Sequence, residues 1–241
     1  MYDSVHQAFI QAMMCRKIVL WSEAADLLGN LAKNFSERPE EYQLQAVIDE
    51  INGRVRDLKM QLRDVTCEVT GKRYCTLVVT VETYVSRLSS KYTPNELQLF
   101  QKILDEIVTS NNGHILMNTC INLSNSLPED MTKSNAEGVI RRFLADKWFI
   151  QGDKGLIYLG ARCISELEPV IRDMYKDYIG ECPLCQQLAI VGKKCNSCFC
   201  RTHFHCLRNY KARSESVNTN ICLKCGNDPE DFSETFQKFT I

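Results

Sequence analysis

The segment CNSCFCRTHFHC places four cysteines and two histidines within residues 195–206. Thiolate and imidazole groups are the ligands that zinc prefers, and two cysteines separated by two residues form a tight turn that directs both sulfurs at one ion. The pattern extends to both sides, since eight of the 13 cysteines lie between Cys182 and Cys225. This part of the chain therefore predicts metal-binding chemistry.

With one histidine included, the candidate ligands form four pairs, each with two residues between its members. In chain order the pairs are Cys182 and Cys185, Cys195 and Cys198, His203 and Cys206, and Cys222 and Cys225. Zinc takes four ligands in a structural site, so eight ligands predict two structural Zn²⁺ ions. Cys200 and His205 fall outside this pairing, although the spacing would also allow Cys200 to replace Cys198, or His205 to replace His203.

Four cysteines, one histidine and three cysteines, in that order, are typical of both the variant RING finger and the PHD finger. In both modules the first and third pairs bind one ion, and the second and fourth pairs bind the other. A PHD finger usually has an aromatic residue two positions before the seventh ligand, where this chain has Asn220. The sequence therefore favours the RING. Structural zinc supplies about 10–16 kcal/mol in isolated finger peptides, so we expect the metals to fold this small segment.

The composition indicates an intracellular globular protein. The chain has 241 residues, 44% hydrophobic and 24% charged, with a net charge of -1, so no wholly basic nucleic-acid-binding surface is implied. No apolar run reaches the roughly 18 residues of a membrane helix, and the start MYDSVHQAF lacks the layout of a secretion signal. A reducing compartment disfavours disulfides. The five scattered cysteines are predicted to be small buried hydrophobes: Cys15, Cys67, Cys75, Cys120 and Cys163.

Upstream, helical periodicity is followed by two β-branched runs. The segments VHQAFIQAMM, SEAADLLGNLAK and RPEEYQLQAVIDEINGRVRDLKMQL each predict a helix, with Ser22 as the N-cap of the second and Pro39 in the first turn of the third. VTCEVTGKRYCTLVVTVE then predicts a hairpin that turns at Gly71 and Lys72. Three helices and a hairpin in this order describe a winged helix.

The same plan recurs further along the chain. Thr93 is predicted to cap the helix PNELQLFQKILDEIVTS, which MNTCINLSNSL and SNAEGVIRRFLADKW follow as two further helices. FIQGDKGLIYLG predicts two strands around the turn at residues 152–155. A last helix, ARCISELEPVIRDMYKDY, is expected to bend at Pro169 or to end its first half there.

The predicted fold is therefore mainly α with small β hairpins, an α+β class, in four parts. Residues 1–88 and 92–178 form the two winged-helix domains, the second with a trailing helix. Residues 180–228 form the zinc module, and residues 229–241 a polar tail. In the tail, Phe232, Phe236 and Phe239 recur at helical spacing, which fits a short amphipathic docking helix or a segment ordered only in a complex.

Winged helices bind either DNA or other proteins. In the DNA-binding type, the third helix enters the major groove and a basic wing contacts phosphate. Four cations of the second copy could contact DNA in this way: Arg141, Arg142, Lys147 and Lys154. Glu137, Asp146 and Asp153 lie among them, which favours an ordinary solvated surface. We therefore predict protein docking, with DNA contact as a secondary role.

The order of these parts resembles a known family. Tandem winged helices, then FLADKWFIQGDKGLIYLGARCISELEPVIRD, then CPLC, CNSC, HFHC and CLKC, are similar to the RING-bearing non-SMC element one subunits of the Smc five-six complex, over nearly the whole chain. The resemblance implies a RING-type E3 ubiquitin-protein ligase that acts in the nucleus, on chromatin, in DNA repair and recombination. It also implies a MAGE-like winged-helix partner and a kleisin subunit, and places the zinc ligands at the eight positions above.

A RING ligase has no nucleophile of its own, so no catalytic residue is predicted. Many RINGs bind the ubiquitin-conjugating enzyme (E2) through an apolar residue before the second ligand and a proline after the seventh, positions held here by Leu184 and Leu223. Active RINGs often follow the last ligand with an arginine, where this chain has Gly226. This predicts weak activity alone and stimulation by the MAGE-like partner. A non-catalytic scaffold and a PHD-like histone reader are the alternatives, and the isolated His6 and His114 give no support to a classical enzyme.

Overall fold

The computed structural model describes residues 2–80, 91–213 and 221–227. These residues form two compact units. Residues 2–67 and 72–80 belong to the first unit, and residues 68–71 belong to the second together with the described residues from 91 onwards. Both units are mostly helical and carry small antiparallel sheets, so the predicted α+β class is confirmed. No described helix is both long and apolar enough to cross a membrane.

The first unit has the element order of a winged helix. Its helices and strands are α1 (Ser4–Arg16), β1 (Ile18–Leu20), α2 (Trp21–Phe35), α3 (Leu44–Val55), β2 (Met60–Thr66) and β3 (Arg73–Val79). The three strands form a sheet in the order β1-β3-β2. The helices bury one apolar face each, and Phe9, Met13 and Ile51 are fully enclosed between them. The predicted helix-helix-helix-hairpin order is confirmed for this unit.

Three local predictions for the first unit are wrong. Ser22 does not cap α2, because β1 pairs with β3 and the chain enters the helix at Trp21, directly from that strand. Pro39 begins a separate 3₁₀ turn, since the extended residues 42–43 interrupt the chain before α3 starts. Met60–Leu62, predicted as the end of the third helix, start β2 after Lys59 adopts a left-handed conformation with φ 56°.

The second unit contains another winged helix, followed by a module rich in cysteine. Its elements are α4 (Pro94–Thr109), β4 (Ile115–Leu116), α5 (Met117–Asn122), α6 (Lys133–Ala145), β5 (Phe149–Gln151), β6 (Leu156–Leu159), α7 (Ala161–Met174), β7 (Gly180–Glu181), β8 (Leu188–Ala189), β9 (Lys193–Lys194), β10 (Arg201–Thr202) and α8 (Phe204–Arg213). Strands β4, β6 and β5 form one sheet, and β7 with β8 and β9 with β10 form two short hairpins. The predicted tandem repeat is confirmed.

The start of α4 follows the sequence prediction closely. The Thr93 hydroxyl accepts a hydrogen bond from the N–H of Glu96 at 3.3 Å, and the Glu96 carboxylate accepts one from the N–H of Thr93 at 2.9 Å. This reciprocal pair satisfies two N–H groups that a helix start leaves without partners. Pro94 takes the first helical position, where its missing N–H costs nothing.

Two other predictions, on Pro169 and on the scattered cysteines, fare differently. Pro169 does not end its helix, because α7 continues past it to Met174. The helix stops before Tyr175, whose hydroxyl hydrogen-bonds the carboxylate of Asp105. Of the five scattered cysteines, four are buried as predicted, whereas Cys15 is exposed because it lies on the outer face of α1.

Candidate metal centre

The eight predicted ligands come together in two groups of four. Cys182, Cys185, His203 and Cys206 form one group, called here the mixed cluster, and Cys195, Cys198, Cys222 and Cys225 form the other, the all-cysteine cluster. Within each group the candidate ligand atoms all lie within 4.8 Å of one another. The clusters draw on alternate pairs along the chain, so they are interleaved. Either cluster could hold a metal ion.

The three Cys-x-x-Cys turns repeat one backbone geometry. In each turn the carbonyl of the first cysteine accepts a hydrogen bond, at 2.8–2.9 Å, from the residue after the second cysteine. That residue has a left-handed φ of 58–73° in every case: Gln186, Phe199 and Gly226. The N–H of the first cysteine is also satisfied, since it donates at 2.9 Å to the carbonyl five residues on. These local hydrogen bonds hold both sulfurs of each turn on the same side.

Each cluster contains a thiol whose pKa is strongly lowered. Burial raises the pKa of the Cys182 thiol, but its contacts with the His203 side chain and with the backbone N–H groups of His203 and of its own turn outweigh burial and lower that pKa to about 6. Burial likewise raises the pKa of Cys222, and the N–H groups of Cys225 and Lys224 lower it to about 6. The thiolate is the form that binds metal, so the lowered pKa values favour the metal-binding form of one ligand in each cluster.

His203 presents its two ring nitrogens to different partners. Its Nδ1 lies 3.3 Å from the sulfur of Cys185 and 3.8 Å from that of Cys206, so it points into the mixed cluster. Its Nε2 lies 3.0 Å from the carbonyl oxygen of Leu188 and 3.1 Å from a carboxylate oxygen of Glu68. Both of these oxygens are acceptors. We therefore assign the proton to Nε2, which leaves the Nδ1 lone pair free to bind metal.

The two residues outside the regular pairing lie beside the clusters. The His205 ring stacks on His203 at 4.9 Å, with its Nδ1 3.4 Å from the carbonyl oxygen of Glu68. Burial lowers the pKa of His205, which favours a neutral ring. Cys200 is buried, with its sulfur 3.4 Å from that of Cys222. Both residues contact a predicted ligand, but neither belongs to a group of four.

The residues predicted to bind the conjugating enzyme lie within two of the turns. Leu184 belongs to the first turn and Leu223 to the last, and both side chains are half-buried, so part of each remains at the surface. Gly226 is exposed, and a Cβ built at this position meets no atom within 4 Å. Asn220 and the tail phenylalanines Phe232, Phe236 and Phe239 lie outside the described residues.

The four cations predicted near DNA lie on α6, just beyond its end, and in the turn between β5 and β6. Arg141 pairs with Glu137 at 2.6 Å, and Arg142 pairs with Glu96. Lys147 does not lie on the third helix as predicted, because α6 ends at Ala145 and Lys147 adopts φ 63° beyond it. Lys154 lies in the 3₁₀ turn between β5 and β6. Both arginines are thus engaged with carboxylates of the same unit.

Sequence reasoning missed Glu68. This residue follows β2 and contacts His203 from 135 positions away. In the sequence it is one acidic residue at the turn of a predicted hairpin, with no neighbouring signal for metal chemistry. Glu68 also accepts hydrogen bonds from the backbone N–H groups of Ile190 and Val191. Every residue except proline has such a group, so the sequence does not indicate these contacts. Only the folded structure brings this carboxylate to the cluster.

Two winged helices followed by two interleaved Cys/His clusters define a class of protein with the ligand arrangement of a cross-braced, RING-like module. Comparison with known proteins gives the family. Residues 6–127 match the model described as "Nse1 non-SMC component of SMC5-6 complex". The chain belongs to this Nse1 family.

Individual relatives agree with the family model. The "Non-structural maintenance of chromosomes element 1 homolog" of Rattus norvegicus is 31% identical, over 96% of this chain and 86% of the relative. The Drosophila melanogaster homolog is 26% identical, over 93% of this chain and 95% of its own length. A solved structure entitled "Nse1-Nse3-Nse4 complex" contains a chain with a TM-score of 0.82 and 28% identity, covering 96% of this chain and 99% of that one.

Proposed function

We propose that this chain is a RING-type E3 ubiquitin-protein ligase subunit of an SMC5-6 complex, acting in DNA repair and recombination. The observation that carries the proposal is the interleaving of the mixed and all-cysteine clusters. This arrangement holds the three Cys-x-x-Cys turns in fixed positions relative to one another, and so determines where their exposed side chains lie. Membership of the Nse1 family supports the assignment to the complex.

The metals proposed for the clusters are two structural Zn²⁺ ions. Three thiolates with one imidazole, and four thiolates, are ligand sets that zinc prefers in tetrahedral sites. When bound, zinc joins segments that have too little apolar surface to fold alone. Every position around each ion would be filled by a protein ligand, so neither would have a coordination site left for water or substrate. We therefore assign the metals no part in the transfer reaction.

The proposed chemistry is positioning. A ubiquitin-charged conjugating enzyme carries the reactive thioester, and the incoming lysine amine supplies the nucleophile. The role of this chain is to hold the charged enzyme in a productive orientation, which lowers the entropic part of the barrier. Leu184 and Leu223 are proposed as the apolar contacts for that enzyme, because each lies in a metal-binding turn and is half-buried.

The proposed partners follow from the family and the solved complex. The structurally similar chain assembles with Nse3 and Nse4, so we propose that this chain binds the corresponding MAGE-like winged-helix subunit and kleisin. We propose the four-part domain division that the sequence predicts for this chain as well. Its two winged-helix domains would provide the docking surface. A nuclear, chromatin-associated location follows from membership of such a complex. DNA contact through Arg141, Arg142, Lys147 and Lys154 is a secondary part of the proposal.

Replacing Leu184 with alanine is expected to remove ubiquitin-chain synthesis without disturbing assembly. A central apolar contact is worth about 2 kcal/mol or more in an interface, so transfer should fall by about 30-fold or more. The measurement is chain synthesis by the zinc-loaded protein with a panel of conjugating enzymes, with and without the MAGE-like partner. Leu58→Ala is the control, since Leu58 is 67% exposed and belongs to the first unit, and binding of the MAGE-like partner is measured for both variants.

The outcome of this assay separates the ligase from the scaffold. Activity that requires the partner and is lost in Leu184→Ala, but kept in Leu58→Ala, supports the ligase. No activity with any conjugating enzyme, from protein that holds two zinc ions and binds its partner, contradicts it. The module would then serve as a non-catalytic brace, an alternative that Gly226 favours because it offers no donor to the bound ubiquitin. Micromolar binding of histone tails would instead point to the PHD-like alternative.

Introducing the missing donor is expected to make the ligase less dependent on its partner. An arginine at position 226 has open space around its Cβ, and Gln186 and Phe199 show that side chains are accepted at the same left-handed position of the other turns. A hydrogen bond to a charged group is worth about 1.5–3 kcal/mol, so Gly226→Arg should raise partner-free transfer about tenfold. Gly226→Gln, which has no charge, is the control. Equal rates for both variants would show that the donor is not what limits activity.

A further inference from the structure

A carboxylate distant in sequence lies against the mixed cluster. Glu68 is only 4% exposed, and its Oε1 lies 3.1 Å from Nε2 of His203. Its two oxygens also accept hydrogen bonds of 2.8–3.2 Å from the N–H groups of Ile190 and Val191. A buried carboxylate is tolerated only where such partners replace the water it has lost. The position is therefore built for an acceptor.

The chemistry of these partners selects a carboxylate over an amide. The ring Nε2–H of His203 and the two backbone N–H groups are all donors, and they approach both oxygens of Glu68. A glutamine would offer one acceptor and one NH2 group, so in either orientation of the amide an N–H would face another N–H. Such a mismatch in a buried site costs the energy of an unsatisfied polar group.

A buried cation balances the charge of Glu68. Arg201 is 4% exposed, and its guanidinium donates to the carbonyl of Ile190, whose N–H donates to Glu68. Burial lowers the pKa of Arg201, and the negative charge of Glu68 opposes that effect. The positive charge of Arg201 thus lies at the carbonyl of Ile190, and the negative charge of Glu68 lies at the N–H of the same residue. A buried charge costs less where an opposite charge lies nearby.

The segment that carries Glu68 also packs against the second histidine. Gly71 has φ +69°, and a Cβ built at that position would lie 2.9 Å from the Cβ of His205. The carbonyl oxygen of Glu68 lies 3.4 Å from Nδ1 of His205, whose ring stacks on His203. Residues 68–71 therefore contact both histidines of the module, in agreement with their place in the second unit.

We propose that Glu68 is a positioning residue for the metal ligand His203. By accepting the Nε2–H, it fixes the tautomer and the ring orientation that direct Nδ1 into the mixed cluster, and it slows metal loss from that cluster alone. The carbonyl of Leu188 shares this hydrogen bond, so the carboxylate reinforces an orientation that the backbone also supports. The inference rests on the proposed function in one respect, the assignment of zinc as the metal.

The test is the release of zinc from the full chain to the chromogenic chelator 4-(2-pyridylazo)resorcinol. In the Glu68→Gln variant, one of two zinc equivalents is expected to leave about tenfold faster than from the wild type, because outer hydrogen bonds to ligands contribute about 10–100-fold to metal affinity. The second equivalent, in the all-cysteine cluster, should leave at the wild-type rate. Glu137→Gln is the control, since Glu137 is an exposed carboxylate paired with Arg141 on α6, and neither rate should change.

A second measurement needs no variant. Imidazole ¹⁵N–¹H NMR of the wild-type zinc protein should show His203 bound through Nδ1, with a hydrogen-bonded proton on Nε2. Binding through Nε2 would overturn the proposal, as would unchanged release from Glu68→Gln or equal acceleration of both equivalents, which indicates general destabilisation. Wild-type protein without bound zinc would contradict the proposed function itself, and this inference with it. Two equivalents with unaltered release would contradict only the role of Glu68.

Discussion

Cys198→Ala is expected to lose one of two zinc ions and to unfold the module around the all-cysteine cluster. The sulfur of Cys198 lies 3.6 Å from that of Cys222, and both belong to the all-cysteine cluster. Among the described residues, the mixed cluster is the other group of this kind. Structural zinc contributes about 10–16 kcal/mol in finger peptides, far more than a small segment gains from its apolar core. The zinc content per chain should fall from two to one.

Proteolysis gives the structural measurement for this variant. Lys193 and Lys194 form β9, which pairs with β10 on either side of the second ligand pair. Once the module unfolds, trypsin should cut after these lysines, and mass spectrometry of the fragments locates the cuts. The wild-type protein should become equally sensitive when a chelator removes its zinc. The winged-helix part of the chain should keep its resistance in both cases.

Cys200→Ala is the matched control, because Cys200 is a buried cysteine two residues away in the same segment. Its sulfur lies 3.4 Å from that of Cys222, which is close enough for a metal ligand. Cys200 nevertheless belongs to neither group of four candidate ligands. We therefore expect Cys200→Ala to retain both zinc ions. If Cys198→Ala keeps two ions and Cys200→Ala loses one, the ligand assignment of the all-cysteine cluster is wrong.

Spacing carries more information for metal ligands than for the ends of helices. A turn of the Cys-x-x-Cys type is a local structure held by hydrogen bonds between residues four and five apart, so sequence alone identifies it. The winged-helix order is also local, because each amphipathic helix and each β-branched run shows its own period. For these reasons the mainly helical fold and the tandem repeat could be predicted from the sequence.

The wrong predictions concern residues whose conformation depends on distant partners. Ser22 has the chemistry of an N-cap, but pairing of β1 with β3, more than 50 residues away, moves the helix start to Trp21. Met60 begins a strand because it pairs with Val79 of β3. Glu68 finds its hydrogen-bond partners more than 120 positions further along the chain. Local propensity cannot contain such information, since the competing interaction forms only in the folded chain.

Phe100→Ala is expected to give the largest loss of stability among substitutions in the winged helices. The Phe100 ring is fully buried in α4 and meets three other aromatic rings at centroid distances of 5.0–5.6 Å: Phe143, Trp148 and Phe149. Removing it deletes the centre of this cluster and leaves a cavity that rigid neighbours cannot fill. Such substitutions cost about 3–5 kcal/mol in the free energy of unfolding.

The chain provides its own fluorescent probe for this measurement. Its two tryptophans, Trp21 and Trp148, belong to different units, so a Trp21→Phe background makes urea unfolding report on the second unit alone. Tyr178→Ala is the control, because Tyr178 lies in the same unit, is 52% exposed, and its loss should change stability by about 0.5 kcal/mol or less. A loss below about 1 kcal/mol for Phe100→Ala would contradict the aromatic cluster as the core of this unit. If the free energy of unfolding falls by the full amount of about 3–5 kcal/mol and both zinc ions are retained, the aromatic core and the metal clusters stabilise separate parts of the unit. We expect this result, because apolar burial and metal binding are distinct sources of folding energy.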